Sequence, residues 1–160
     1  MKRVAIIGTG NVGAHIASYG IARNLPVEFL LVDMNQAFET AQVLDLRDSL
    51  LFSPKSQVRG VDFGDKDLTN ADIFVITAGA KMTPGENRCH LLGRNIEVLK
   101  AIHSSLGKIK KSAVVILVSN PVDILTQVAR NLFDLPAGAG AVRHPVRPEA
   151  GKAVPACLVP

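Results

Sequence analysis

The chain has 160 residues, 48% of them hydrophobic and only 4% aromatic, with 18 Lys and Arg against 14 Asp and Glu. That composition is too apolar for a disordered chain, and the length fits one domain with or without a tail. The longest apolar run, residues 113–118, is far short of a membrane span, and the opening run, residues 4–7, is too short for a signal peptide. Two cysteines, Cys89 and Cys157, are too few for a disulfide framework or a metal cluster. The net charge of +4 is small, and the few aromatics do not interleave with the basic residues, which argues against nucleic acid. A cytoplasmic globular protein is expected.

Residues 4–7 are a short β-branched run bounded by glycine and read as a buried strand. Gly8-Thr9-Gly10-Asn11-Val12-Gly13 follows, then a helix over residues 14–24 with Ile16, Ala17, Gly20 and Ile21 on its inner face. A second strand over 29–32 has Asp33 at its C-terminal end. A helix over 36–51 places Ala37, Ala41, Leu44 and Leu51 at helical spacing. The third strand, 58–63, alternates poorly; the fourth, 73–76, is strong and opens after Asp72. A Gly/Pro-containing loop over 77–87 leads to a helix over 88–111, with Leu92, Ile96, Leu99, Ile102 and Leu106 as its buried stripe. A fifth strand spans 113–119, and Pro121 suits the first turn of a helix over 122–133. Continuous apolar strands alternating with helices predict an α/β fold. It is a doubly wound parallel sheet of Rossmann type, with five strands over residues 1–136. Residues 137–160, rich in Ala, Gly and Pro, lack a periodic apolar pattern and predict an irregular, mostly disordered tail.

The glycine motif fits a phosphate-binding turn. Gly8 permits the bend off the strand, Gly10 lets backbone approach a pyrophosphate, and Gly13 lets the helix pack near the sheet. The helix N-terminus, with Asn11 and Val12 in the motif, offers N–H groups and a positive dipole end. Asp33 follows Gly13 by about 20 residues at a strand tip, where a carboxylate accepts hydrogen bonds from an adenosine ribose and repels a 2′-phosphate. The expected cofactor is therefore NAD rather than NADP.

Two further stretches carry a more specific signal: Thr77-Ala78-Gly79-Ala80-Lys81-Met82-Thr83-Pro84-Gly85-Glu86-Asn87-Arg88 after the fourth strand, and Ser119-Asn120-Pro121-Val122-Asp123 after the fifth. With the glycine motif, in this order, they make residues 3–136 resemble the L-lactate/malate dehydrogenase family, which includes the L-2-hydroxyacid dehydrogenases. The resemblance implies an NAD-dependent oxidoreductase acting on a small 2-oxo or 2-hydroxy acid, homo-oligomeric, with no metal, membrane or nucleic-acid partner. It implies that Ala78, Gly79 and Ala80 pass under the cofactor and that residues 81–88 close over substrate. Arg88 stands where the family keeps the arginine that polarises the substrate carbonyl. A guanidinium brought in by closure stabilises the negative charge that hydride transfer builds on oxygen. Asn120 stands where an asparagine contacts substrate and the nicotinamide ribose; Asn95 and Val118 are placed with the cofactor-binding residues.

Met82 occupies the position at which glutamine goes with lactate and arginine with malate. Methionine supplies neither amide nor cation, so a monocarboxylic 2-oxo acid with an apolar side chain is expected. A one-residue loop shift presenting Lys81 instead is the alternative, and favours a dicarboxylate. His15, His90, His103 and His144 all lack the family's setting for its acid/base histidine and read as structural or exposed. Beyond residue 136 the family's sixth strand, its Asp-x-x-Arg pair and its substrate domain have no counterpart. The composition shift is what translation in a neighbouring frame of a GC-rich gene would give. The expectation is a cofactor half, association-prone, holding NAD weakly. The competing reading is a non-catalytic NAD-binding module.

Overall fold

The apolar run that opens the chain becomes the central strand of the sheet. In the computed structural model, which describes residues 1–85 and 87–134, β1 (Lys2–Ile7) lies between β2 (Val27–Val32) and β4 (Ile73–Ile76). β3 (Gln57–Gly60) and β5 (Val114–Leu117) flank them, giving the order β3-β2-β1-β4-β5 with every pairing parallel. This is the expected five-stranded Rossmann-type sheet; the expected tail, residues 137–160, lies outside the described residues. Ile7 is in register with both Val32 and Ile76, so Gly8, Asp33 and Thr77 leave the sheet side by side.

Alternate residues of each strand face opposite sides, which is why the runs are apolar throughout. Ala5, Ile7, Leu30, Val32, Phe74 and Ile76 pack against α4 (Arg88–Leu106) and α5 (Val122–Leu132). Val4, Ile6, Phe29 and Leu31 pack against α1 (Asn11–Ala22) and α2 (Gln36–Ser49). A one-turn helix, α3 (Lys66–Thr69), is an addition the sequence pattern did not reveal. Asp65 caps it by accepting from the Asp67 amide, and Leu68 is fully buried.

Several boundaries shift for identifiable reasons. α1 starts at Asn11 rather than at residue 14, because extended Gly10 is its N-cap and the second half of the glycine motif is its first turn. α4 stops at Leu106 rather than at residue 111, because Gly107 has φ +64° and the helix ends there. The inner face of α2 is not the expected one: Ala37, Ala41, Leu44 and Leu51 are exposed, whereas Glu39, Val43 and Leu46 face inward. Apolar spacing misled here because one inward position is a carboxylate.

At the opposite end of the sheet from Gly8, Asp72 accepts from Lys110 Nζ at 2.7 Å, the Arg3 amide at 2.8 Å and Lys2 Nζ at 3.0 Å. Those hydrogen bonds, Lys110 first, hold its carboxyl well below the usual carboxylate range. A depressed folded-state value stabilises the fold above the unfolded-state pKa, and that contribution is lost as pH falls through the folded value. Asp72→Asn is expected to cost about 2 kcal/mol at pH 7 and to flatten the acid limb of the stability curve below about pH 4. Thermal melts of both proteins across pH check this; equal melting temperatures at pH 7 would contradict it.

No helix among the described residues is long and apolar enough to cross a membrane, and no grouping among them suits a metal ion.

Candidate cofactor site

The strand order reverses between β1 and β4, and in open α/β sheets the crevice beyond the strand C-termini at such a point is where ligands bind. Gly8 turns there with φ +98°, and its amide donates to Val32 O at 2.8 Å. A Cβ at Gly8 would stand 2.6 Å from Ala78 N, so the two loops that leave β1 and β4 touch backbone to backbone. Thr77 Oγ1 donates to Gly8 O at 2.6 Å and fastens that contact. A Cβ at Gly13 would overlap Gly8 O, whereas one at Gly10 would meet nothing within 4 Å. The motif thus divides by purpose: Gly8 and Gly13 are forced by close packing inside the protein, and Gly10 by nothing inside it.

Beyond Gly10 begins α1, whose N-terminus has no side-chain cap and no acidic residue in its first turn. Its positive dipole end is therefore uncompensated by the protein, and Asn11 and Val12 are exposed beside it. That surface fits a diphosphate.

Asp33 is tied to the glycine loop directly. Its Oδ2 accepts from the Thr9 amide at 2.7 Å and from Thr9 Oγ1 at 3.0 Å, and its Oδ1 accepts from the Asn35 amide at 3.0 Å. A carboxylate has roughly four acceptor positions. Three are used by these donors, which leaves capacity for a ribose hydroxyl at a half-buried group. Thr9 is completely buried. It was missed as a site residue because a threonine at a variable position of the motif carries no signal of its own.

The exits of β4 and β5 are joined by Asn95 of α4. This side chain is 4% exposed; its Oδ1 accepts from the Ala80 amide at 2.6 Å and its Nδ2 donates to Asn120 O at 2.7 Å. Ser119 Oγ donates to Ala78 O at 2.6 Å, a second tie. Gly79 fits between them, since a Cβ there would come within 3.3 Å of Asn95 Oδ1 and Ser119. Val118 donates its amide to Ile76 O, and its side chain is half-buried against the α1 and α2 side of the core. Asn120 is exposed and precedes a cis peptide bond to Pro121. So Asn95 joins the exits of β4 and β5 through both ends of its amide.

The structure gathers the glycine motif, Asp33, Ala78, Gly79, Ala80, Asn95, Val118 and Asn120 at one end of the sheet. Lys81 and Met82 lie on an exposed segment, with Lys81 O accepting from Arg94 Nη2 at 2.8 Å. Arg88 is the first residue of α4, which Asn87 caps by accepting from the Cys89 amide. Residue 86 of the expected closing loop lies outside the described residues. His15 is exposed on α1 with Nδ1 against Asn11 O, His90 is exposed, and His103 packs edge-on against Phe133 at 5.0 Å. His15 thus lies beside Asn11 and Val12 at the diphosphate end of the site, and His103 packs against the end of α5; His144 lies outside the described residues.

The family model for the lactate/malate dehydrogenase NAD-binding domain matches residues 2–138. The chain is 42% identical over 135 residues to L-lactate dehydrogenase A of Rhizopus oryzae, an alignment covering 84% of this chain and 41% of that protein. It is 40% identical over 136 residues to L-lactate dehydrogenase 2 of Enterococcus faecalis, covering 84% and 42%. Among solved structures, the minor L-lactate dehydrogenase from Enterococcus mundtii in a ligand-bound form superposes with a TM-score of 0.77 at 29% identity, over 84% of this chain and 43% of that one. The chain thus spans about two fifths of the length of the curated relatives it matches. With this agreement in sequence and in fold, the chain belongs to the lactate/malate dehydrogenase family, whose NAD-binding domain it carries.

Proposed function

We propose that this chain is the cofactor half of an NAD-dependent L-2-hydroxyacid dehydrogenase acting in the cytoplasm, with residues 1–136 as its folding unit. One observation carries the reading: the uncapped start of α1, the open face of Gly10 and the Asp33 carboxylate meet at one end of the sheet. The amides of Asn11, Val12 and Gly13 would hold the diphosphate, Asp33 the adenosine ribose, and Ala78, Gly79 and Ala80 the underside of the cofactor. Bound NAD supplies the hydride acceptor for C2 of a 2-hydroxy acid. In this reading Arg88 polarises the substrate oxygen, Asn120 contacts substrate and ribose, and Met82 selects an apolar side chain. Arginine at residue 82 would present a cation for a second carboxylate. If the chain turns over, Met82→Arg is expected to shift preference toward oxaloacetate over 2-oxo-4-methylpentanoate by about tenfold or more; an unchanged ratio of kcat/KM would contradict the role given to Met82.

A second reading, a non-catalytic NAD-binding module, is favoured by the placement of His15 and His103. His103 packs against Phe133, and His15 lies against Asn11, the residue given to the diphosphate, so neither is offered to the hydroxyl proton of the substrate. Oxidation of NADH by purified protein with 2-oxo-4-methylpentanoate supports the first reading. Saturable NADH binding without turnover supports the second. The exposed apolar side chains of Phe38, Leu44, Leu51 and Phe52 support the expectation that the chain associates.

A further inference from the structure

Glu39 is the carboxylate that the expected face of α2 did not contain. It is 9% exposed, and its Oε2 accepts from the Asp33 amide at 2.8 Å. Its other oxygen lies against Gly60, where an added Cβ would overlap Oε1. A glutamate at this depth needs a donor, and the donor it finds is the backbone of the residue that grips the ribose. We propose that Glu39 is a positioning and charge-selecting residue of the adenosine-ribose subsite: it fixes the backbone carrying Asp33 and sets a second negative charge behind it against a 2′-phosphate. The proposal rests on the cofactor site described above and assigns to that site a second acidic determinant.

The charged groups facing Glu39 are Asp33 from the tip of β2 and Asp62 from the segment after β3, and Arg47, further along α2, lines the same cleft. Burial pushes the Glu39 carboxyl up, and the two aspartates add to that, against the lowering by the Asp33 amide. With two acids behind the ribose, neutralising Asp33 alone leaves repulsion in place. Partial burial also leaves this charge less screened than one at the surface. Protonation of Glu39 removes its charge, so discrimination against a 2′-phosphate weakens as pH falls through its raised pKa.

The test titrates NADH and NADPH by fluorescence into the whole chain and its Glu39→Gln, Asp33→Asn and doubly substituted forms at neutral pH. Glutamine keeps an acceptor for the Asp33 amide and removes the charge. The expected result is an NADPH-to-NADH preference raised about tenfold in Glu39→Gln, with NADH affinity within about threefold of the parent, where tenfold is about 1.4 kcal/mol. The double form is expected to accept NADPH about tenfold better than Asp33→Asn. An independent readout is the ¹⁵N–¹H resonance of the Asp33 amide, which should show a titration step above the ordinary glutamate range in the parent that is missing in Glu39→Gln. A parental preference ratio in Glu39→Gln, a double form no more permissive than Asp33→Asn, or an Asp33 amide whose titration is the same in the parent and in Glu39→Gln would each overturn the proposal. A parent that does not bind NADH overturns the cofactor site itself, and is distinguished because the amide titration still reports where Glu39 sits.

Discussion

Gly8→Ala is expected to abolish saturable NADH binding and to cost about 3 kcal/mol of folding stability. Two independent costs add at this position. The backbone has φ +98°, a conformation that a Cβ disfavours. The new methyl would also stand 2.6 Å from Ala78 N and 2.8 Å from Ala78 Cα, which are backbone atoms unable to rotate away. Relief requires the β1 and β4 exits to separate. That separation would strain the Thr77 Oγ1 bond to Gly8 O and tilt the start of α1. Denaturant unfolding and NADH titration of the same sample check both halves. A variant with parental stability and affinity would mean that the two loops are not in backbone contact.

Asn95→Ala is the second large effect. It removes the acceptor of the Ala80 amide and the donor to Asn120 O in a side chain that is 4% exposed. Leaving buried polar groups unpaired costs about 1–3 kcal/mol each, so a loss of about 3 kcal/mol is expected. The loops that leave β4 and β5 would then move independently of each other. Asn95→Asp retains an acceptor for Ala80 but sets a carboxylate oxygen against Asn120 O in a buried place, a repulsion relieved only when the carboxyl is protonated. It is expected to be at least as unstable as the alanine form at neutral pH and to recover toward the parent as pH falls, when the protonated carboxyl can donate to Asn120 O. Equal stability of all three would show that Asn95 is not the bridge.

The strands and the sheet were legible because a parallel sheet covered on both faces needs uninterrupted apolar runs, and residues 4–7, 29–32 and 73–76 provide them. The glycine motif was legible in kind but not in boundary. Gly10 as N-cap puts Asn11, Val12 and Gly13 inside α1, and a motif written as a loop hides that. The inner face of α2 was not legible, because Glu39 is held inside by a backbone amide that no local pattern reports. Thr9 was invisible for a related reason. Its partner, Asp33, comes from the next strand, and only the register of β1 with β2 brings them together. Asn95 is placed with the cofactor-binding residues through the resemblance. The geometry adds a tie that the resemblance does not state: Asn95 holds Ala80 to Asn120.

In the proposed reading the turn after β1 and the acid at the tip of β2 hold a dinucleotide without a 2′-phosphate. Fluorescence titration of the purified chain with NADH and NADPH tests it most directly. Saturable NADH binding, with NADPH weaker by about tenfold or more, is the predicted result. No saturable uptake of NADH, or equal affinity for the two, would contradict it.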